Sequence, residues 1–100
     1  MANANIYDVG DLVRLSVTFT VSSVDTDPTT VALKVKNPAG VVSTYTYALA
    51  QVAKDATGKY HKDISLNMSG HWRYRWEGTG TVESAGDAFM KVRYSEVLGA

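Results

Sequence analysis

The stretch Leu12-Val13-Arg14-Leu15-Ser16-Val17-Thr18-Phe19-Thr20-Val21 decides the fold class. From Val13 onward every second residue is apolar, and polar residues fill the positions between. Because successive side chains of a β-strand point to opposite sheet faces, this period of two places one set in a core and the other in water. The stretch therefore predicts one long, half-buried strand over residues 12–21.

The same alternation, or a run of β-branched and aromatic residues, predicts further strands at residues 31–36, 41–47, 60–66, 72–77 and 88–94. Pro- or Gly-containing turns separate them at residues 37–40, 55–58 and 67–70, and residues 78–80 and 84–87 bracket a loop. Residues 48–53 are ambiguous, since a helical turn of this length needs packing to hold it. About seven strands without a helical period predict an all-β antiparallel sandwich, with a small closed barrel as the alternative.

Two local patterns favour the immunoglobulin-like form of the sandwich. Tyr60 follows the turn formed by Asp55 and Gly58, as in a tyrosine corner, and the alternating Trp72 and Trp76 supply large aromatic side chains for the core. We expect a single immunoglobulin-like domain over residues 1–100, with residues 1–5 and 96–100 as terminal tails.

Composition excludes several classes of function. The chain has 100 residues, ten Lys plus Arg, ten Asp plus Glu and no cysteine. A net charge of zero argues against bulk attraction to nucleic acid or an anionic membrane, and the lack of cysteine removes disulfides and thiol chemistry. The apolar runs are too short for a membrane span, and no signal peptide is recognisable. We expect neither nucleic acid nor membrane as a partner.

Few residues suggest catalysis or cofactor binding. His61 and Asp63 share one strand face and predict a surface pair, since no activated nucleophile accompanies them. The segment Asp25-Thr26-Asp27 has two possible calcium ligands, but is more typical of a solvated turn. Gly78-Thr79-Gly80 lacks the residues of a phosphate-binding loop. The expectation is a non-enzymatic protein with no catalytic residue, no cofactor and no metal.

The distribution of cations is the informative feature. If Trp72, Tyr74 and Trp76 point inward, the residues between them point outward, and the same parity applies to the strands at 31–36 and 88–94. In an immunoglobulin-like order these three strands share one sheet, with the strand at 72–77 in the middle. Parity also turns Met90, Val92 and Tyr94 inward. The predicted partner-binding face then consists of Lys34, Lys36, Arg73, Arg75, Phe89, Lys91 and Arg93.

This face has two interpretations. The long cationic side chains simply extend into water, where salt screens them, or the face docks on an acidic protein surface with arginines and Phe89 as anchors. Tyr45 and Tyr47 share a sheet face and have a similar ambiguity, because edge-strand tyrosines serve packing or a contact surface.

Four segments together resemble small immunoglobulin-like structural proteins of tailed bacteriophages. They are Tyr7-Asp8-Val9-Gly10-Asp11-Leu12-Val13, Asp27-Pro28-Thr29-Thr30-Val31, Leu33-Lys34-Val35-Lys36-Asn37-Pro38-Ala39-Gly40 and Gly70-His71-Trp72-Arg73-Tyr74-Arg75-Trp76-Glu77-Gly78. The similarity extends from Tyr7 to Arg93. The resemblance implies a protein made in the host cytoplasm and carried in the virion, on the capsid exterior or at the neck.

Three virion roles follow from the resemblance. One is a capsid decoration (cement) protein that binds the head shell in multiple copies. Another is a neck or tail accessory protein at the head–tail interface, and the third is a host-surface adhesin that binds glycans through aromatic rings. The resemblance and the basic face favour decoration, with a phage capsid or another virion protein as the partner.

Overall fold

The structure of the chain is a computed structural model that describes residues 6–82, 84–97 and 99. These residues form ten β-strands and no helix, so none of them belongs to a helix that could cross a membrane. The strands are β1 (Ile6–Asp8), β2 (Leu12–Thr18), β3 (Thr20–Val21), β4 (Val24–Asp25), β5 (Thr30–Lys36), β6 (Val42–Thr46), β7 (Ala53–Ala56), β8 (Lys59–Ser65), β9 (Gly70–Thr79) and β10 (Ser84–Arg93). The all-β prediction is confirmed. The predicted tail at residues 1–5 lies outside the described residues, as do residues 98 and 100 of the other tail.

The strands form two sheets and a small hairpin. The larger sheet has the order β1-β10-β9-β5-β6; its β1–β10 pair is parallel, and the β10–β9, β9–β5 and β5–β6 pairs are antiparallel. The smaller sheet has the order β2-β8-β7, and β3 pairs with β4. The predicted arrangement of the three cationic strands is confirmed, because β5 and β10 flank β9 in one sheet.

Buried side chains from both sheets belong to one hydrophobic core. Trp72 and Trp76 are 5% and 4% exposed, which confirms the predicted parity of β9 and fixes the outward direction of the residues between them. The core also contains Val13, Leu15, Phe19, Val31, Leu33, Val35, Val52, Tyr60, Ile64, Leu66, Val82, Met90 and Val92. Tyr94 is 63% exposed, so its predicted inward orientation is wrong, because β10 ends one residue earlier.

The predicted strand over residues 12–21 is broken at Phe19. The Phe19 amide donates to the Gly58 carbonyl (2.8 Å), and the Phe19 carbonyl accepts a hydrogen bond from the Thr26 amide (3.0 Å). The first bond continues the register of Thr18 with Lys59 and the second that of Thr20 with Asp25, so at Phe19 the chain passes from pairing with β8 into the β3–β4 hairpin. Val21 is consequently exposed instead of buried. At the hairpin tip Ser22 and Ser23 have φ of 51° and 68°.

Three further assignments differ from the sequence prediction. Residues 47–50 form a turn and 53–56 form β7, whereas the sequence leaves 48–53 ambiguous and predicts a turn at 55–58. Residues 84–87 belong to β10 and not to a loop, because they pair with residues 75–78 of β9. The short β1 was not predicted. For β1, β7 and residues 84–87, pairing with a neighbouring strand decides the conformation, and the local composition does not reveal it.

Tyr60 anchors a loop through the side chain of Asp27. Its hydroxyl donates to Asp27 Oδ1 (3.1 Å), which also accepts a hydrogen bond from the Gly58 amide (2.7 Å), and Lys54 Nζ donates to Asp27 Oδ2 (2.7 Å). The hydrogen bonds from Lys54 and Gly58 hold the pKa of Asp27 below its ordinary value. The anchoring contact thus joins the β7–β8 hairpin to the loop before β5.

Candidate docking face on the five-stranded sheet

The structure brings all seven predicted partner-binding residues onto one solvent-facing side of the larger sheet. We call this set the basic face: Lys34 and Lys36 of β5, Arg73 and Arg75 of β9, and Phe89, Lys91 and Arg93 of β10. Each of the seven residues is exposed, and Phe89 is 53% exposed. Their shared orientation is confirmed, while their binding of a partner stays a prediction.

The register of β5 and β9 places cations directly opposite each other. Lys34 is the cross-strand partner of Arg75, and Lys36 is the partner of Arg73. Like charges in directly opposite positions destabilise a sheet unless other groups offset them. The carboxylates near each pair therefore decide how much uncompensated positive charge the basic face carries.

Carboxylates surround the pair formed by Lys34 and Arg75. Glu77 lies 3.3 Å from Lys34 Nζ and accepts a hydrogen bond from Arg75 Nε (2.8 Å). Asp87 accepts a second hydrogen bond from Arg75 (2.8 Å). These contacts lower the pKa of Glu77, chiefly through the Arg75 hydrogen bond, and raise that of Arg75, chiefly through Asp87. This half of the face is electrostatically compensated.

The sequence prediction missed the carboxylates of the basic face. Asp8 on β1 lies 2.7 Å from Arg93 at the sheet edge, where β1 pairs with the end of β10. The sequence pattern places Asp87 in a loop, while the position of Glu77 two residues after Arg75 is a signal that the sequence contains. In the described part of the face, Asp8, Glu77 and Asp87 offset half of the six cationic charges.

The pair formed by Lys36 and Arg73 lacks such compensation. Within residues 6–82, 84–97 and 99, neither side chain has an ion pair or a side-chain hydrogen bond, and the same holds for Lys91. His71 lies opposite Lys91 on the same side of the sheet. The excess positive charge of the basic face is therefore concentrated around the first half of β9.

Two exposed apolar side chains flank the uncompensated pair. Val42 lies opposite Lys36 and Phe89 lies opposite Arg73, so Val42, Lys36, Arg73 and Phe89 form a line across β6, β5, β9 and β10 that we call the docking row. Val42 is 54% exposed. The row borders a shallow groove of about 330 Å³ that Asp87 also lines. Apolar side chains beside unpaired cations suit recognition of an amphipathic, acidic partner.

The histidine prediction requires a correction. His61 Nδ1 lies 2.7 Å from Asp55 on the neighbouring strand β7, and Asp63 instead pairs with Arg14 of β2 (2.9 Å). The predicted His61–Asp63 pair is therefore wrong. Because β7 was not recognised in the sequence, Asp55 was not available as a partner in that prediction.

The acidic loop and the tyrosines make contacts within the protein. Asp25 lies 3.1 Å from Lys59, and the Asp27 carboxylate has the partners described above, so protein groups satisfy both. Lys62 lies over the ring of the half-buried Tyr45 (4.9 Å), and the rings of Tyr47 and Tyr60 pack edge to face (5.4 Å). Tyr45 and Tyr60 contribute to the core, whereas Tyr47 remains 45% exposed.

The docking row thus combines two cations, Lys36 and Arg73, that have no ion pair among the described residues with two exposed apolar side chains, Val42 and Phe89. In the described part of the chain, no group of three or more His, Cys, Asp or Glu side chains is placed to hold a metal ion. Comparison of the chain with known protein families, curated proteins and solved structures finds no match.

Proposed function

We propose that the chain is a non-enzymatic structural protein of a tailed-phage virion that docks through its basic face on an acidic surface of the head shell. The observation that carries the docking is the like-charge pair Lys36–Arg73, which has no carboxylate in the described structure and lies beside the exposed Phe89. An acidic partner surface would supply the missing countercharge and bury the apolar ring.

An immunoglobulin-like sandwich is part of the same proposal. The order β10-β9-β5-β6 corresponds to strands G-F-C-C′ of that fold, and β2-β8-β7 corresponds to B-E-D. The common core of the two sheets supports this correspondence. Such a sandwich would serve as a rigid body that presents the basic face.

The proposed place in a virion is based on the sequence resemblance, and it agrees with the moderate charge of the basic face. Exposed ion pairs are individually weak, typically about 0–1 kcal/mol. A protein that binds a repeating shell in many copies gains from effective concentration and does not need one tight site. A decoration protein therefore fits a basic face of moderate charge. A position at the neck or tail is the alternative. A glycan-binding adhesin is less favoured, since Lys62 covers the half-buried Tyr45 and, of the two rings, Tyr47 alone is exposed.

Quantitative mass spectrometry of purified virions from the phage that encodes the chain tests this function. We expect copies in proportion to the capsomers of the head. A small, ring-like copy number would contradict decoration and favour the neck or tail position. Absence of the chain from virions would overturn the structural role, and glycan binding by the isolated protein that depends on Tyr47 but not on Arg73 would favour an adhesin.

A further inference from the structure

The docking row specifies the chemistry of the segment that it binds. Reading across the sheet, its order is Val42, Lys36, Arg73 and Phe89, which is apolar, cationic, cationic and apolar. Both outer side chains are about half exposed, and neither cation has a countercharge among the described residues. A complementary partner therefore presents two neighbouring carboxylates with an apolar side chain on each side.

The spacing of the row favours a helix as the element that presents this pattern. Neighbouring strands lie about 4.8 Å apart, so the four positions extend over about 14 Å at right angles to the strands. Residues on one face of an extended segment recur about every 6.6 Å, which exceeds the spacing of the row. Helix residues three or four apart have Cβ atoms about 5–6 Å apart, which is close to it. From i to i+11 a helix rises about 16.5 Å, so a helix laid across the strands stays within about 2 Å of the row over four positions.

The neighbouring rows define on which side of the helix further acids are tolerated. Toward one side lie Glu77 and Asp87, whose carboxylates already pair with Arg75 and repel additional acids. Toward the other side lie His71 and Lys91, which carry no carboxylate partner in the described structure. The net charge of this side of the sheet thus changes along β9. Acidic residues of the partner helix are favoured where they lie over the first half of β9.

From this geometry we propose, on the basis of the docking function above, that the partner contributes an acidic amphipathic helix with an apolar–acid–acid–apolar stripe at positions i, i+4, i+7 and i+11. Its two carboxylates bind Lys36 and Arg73, and its apolar side chains contact Val42 and Phe89. The occupant is a protein helix and not a nucleic acid, since the row has a single exposed aromatic ring and offers no series of platforms for stacked bases.

A designed helical peptide with Leu, Glu, Glu and Leu at these four positions is the probe. Titrated into the ¹⁵N-labelled full chain, it should shift the amide resonances of Lys36, Arg73 and Phe89 more than those of β2. One control peptide has the same composition in scrambled order, and a second has Gln in place of both Glu residues. We expect each control to bind several-fold more weakly than the probe.

Protein variants supply the second comparison. Arg73→Gln should weaken probe binding by about two- to fivefold, as expected for one exposed charge contact. Arg14→Gln removes the same charge from the outer face of the other sheet and should leave binding unchanged. Equal binding of the scrambled peptide, or of a single-stranded oligonucleotide of equal charge, would overturn the helix proposal.

The outcomes for the helix and for the virion role are separable. If the probe fails to shift the docking row while substitution of Arg73 still weakens attachment to virions, the helix proposal is wrong and the docking function stands. If the probe binds the row but virions contain no copies of the chain, the virion role is wrong, and the chemistry assigned to the row stands.

Discussion

Lys36 of β5 lies directly opposite Arg73 of β9, and in the described structure no carboxylate contacts either side chain. Two residues further along the same ladder, Lys34 lies opposite Arg75, and Glu77 contacts both. The two pairs share strands, spacing and solvent exposure but differ in their countercharge. The comparison within one sheet identifies the Lys36–Arg73 pair as a position where like charges face each other without a countercharge, which costs stability in the free protein. The docking function proposed above accounts for that cost.

Reversal of one charge in the uncompensated pair should stabilise the protein. Lys36→Glu creates an opposite-charge cross-strand pair with Arg73, and we expect the free energy of unfolding to rise by about 0.2–1 kcal/mol. Lys34→Glu, the matched change in the compensated pair, places a carboxylate beside Glu77 and should not stabilise. Urea denaturation of both variants measures the effect. Stabilisation by both changes, or by neither, would contradict the electrostatic difference between the pairs.

Asp27 should make folding sensitive to acid. Its folded-state pKa is lowered, chiefly by the Lys54 hydrogen bond, so its contribution to stability is present above the ordinary value of 3.8 and is lost as pH falls through the lowered value. Asp27→Asn should therefore destabilise the protein most near neutral pH, and its difference from the wild type should shrink in acid. Unfolding measured as a function of pH checks this. Asp25→Asn, which removes only an exposed contact with Lys59, is the control and should have a smaller effect at neutral pH.

The tip of the β3–β4 hairpin holds two non-glycine residues in the left-handed region. Ser22 and Ser23, with φ of 51° and 68°, form a two-residue turn of the kind that favours Asn-Gly. The double change Ser22→Asn and Ser23→Gly should stabilise the protein by about 1 kcal/mol, because it relieves the steric cost of that conformation. Thermal unfolding measures the gain. A lower Tm in the double variant would show that the serines stabilise the tip in another way.

The two core tryptophans differ in the hydrogen bonding of their indole groups. Trp72 Nε1 donates to the Met68 carbonyl (2.9 Å), whereas Trp76 Nε1 is buried without an acceptor in the described structure. Trp72→Phe and Trp76→Phe remove the same atoms, so we expect Trp72→Phe to cost about 1 kcal/mol more, which is the value of one hydrogen bond. Chemical denaturation of both variants checks this ordering. Equal losses would indicate that Trp76 Nε1 has a partner in solution.

The sequence predicted the orientation of side chains within strands better than the contacts between strands. The alternation around Trp72 and Trp76 is local, and it was sufficient to turn Arg73 outward. One countercharge of Arg75, Glu77, lies two residues further along β9 and is visible in the sequence. The other, Asp87, depends on the β9–β10 register, which brings it opposite Arg75 and which no local pattern contains.

Local sequence patterns also do not predict where the strands begin and end. The alternation of β2 continues to Val21, yet the pairing with β8 ends near Phe19, because the partner chain turns at Gly58 and the Phe19 carbonyl pairs with the Thr26 amide instead. The four residues of β7 are too few to display a period, and their pairing with β8 makes them a strand. Missing β7 also concealed Asp55, the partner of His61.

Attachment of double variants to virions that lack the chain tests the docking function most directly. The variant Lys36→Gln/Arg73→Gln is compared with Arg14→Gln/Lys59→Gln, which removes two charges from the outer face of the smaller sheet. With both proteins folded, we predict that the first binds about three- to tenfold more weakly than the wild type at low salt, and that the second binds like the wild type. Equal attachment of the two variants would contradict docking through the Lys36–Arg73 pair.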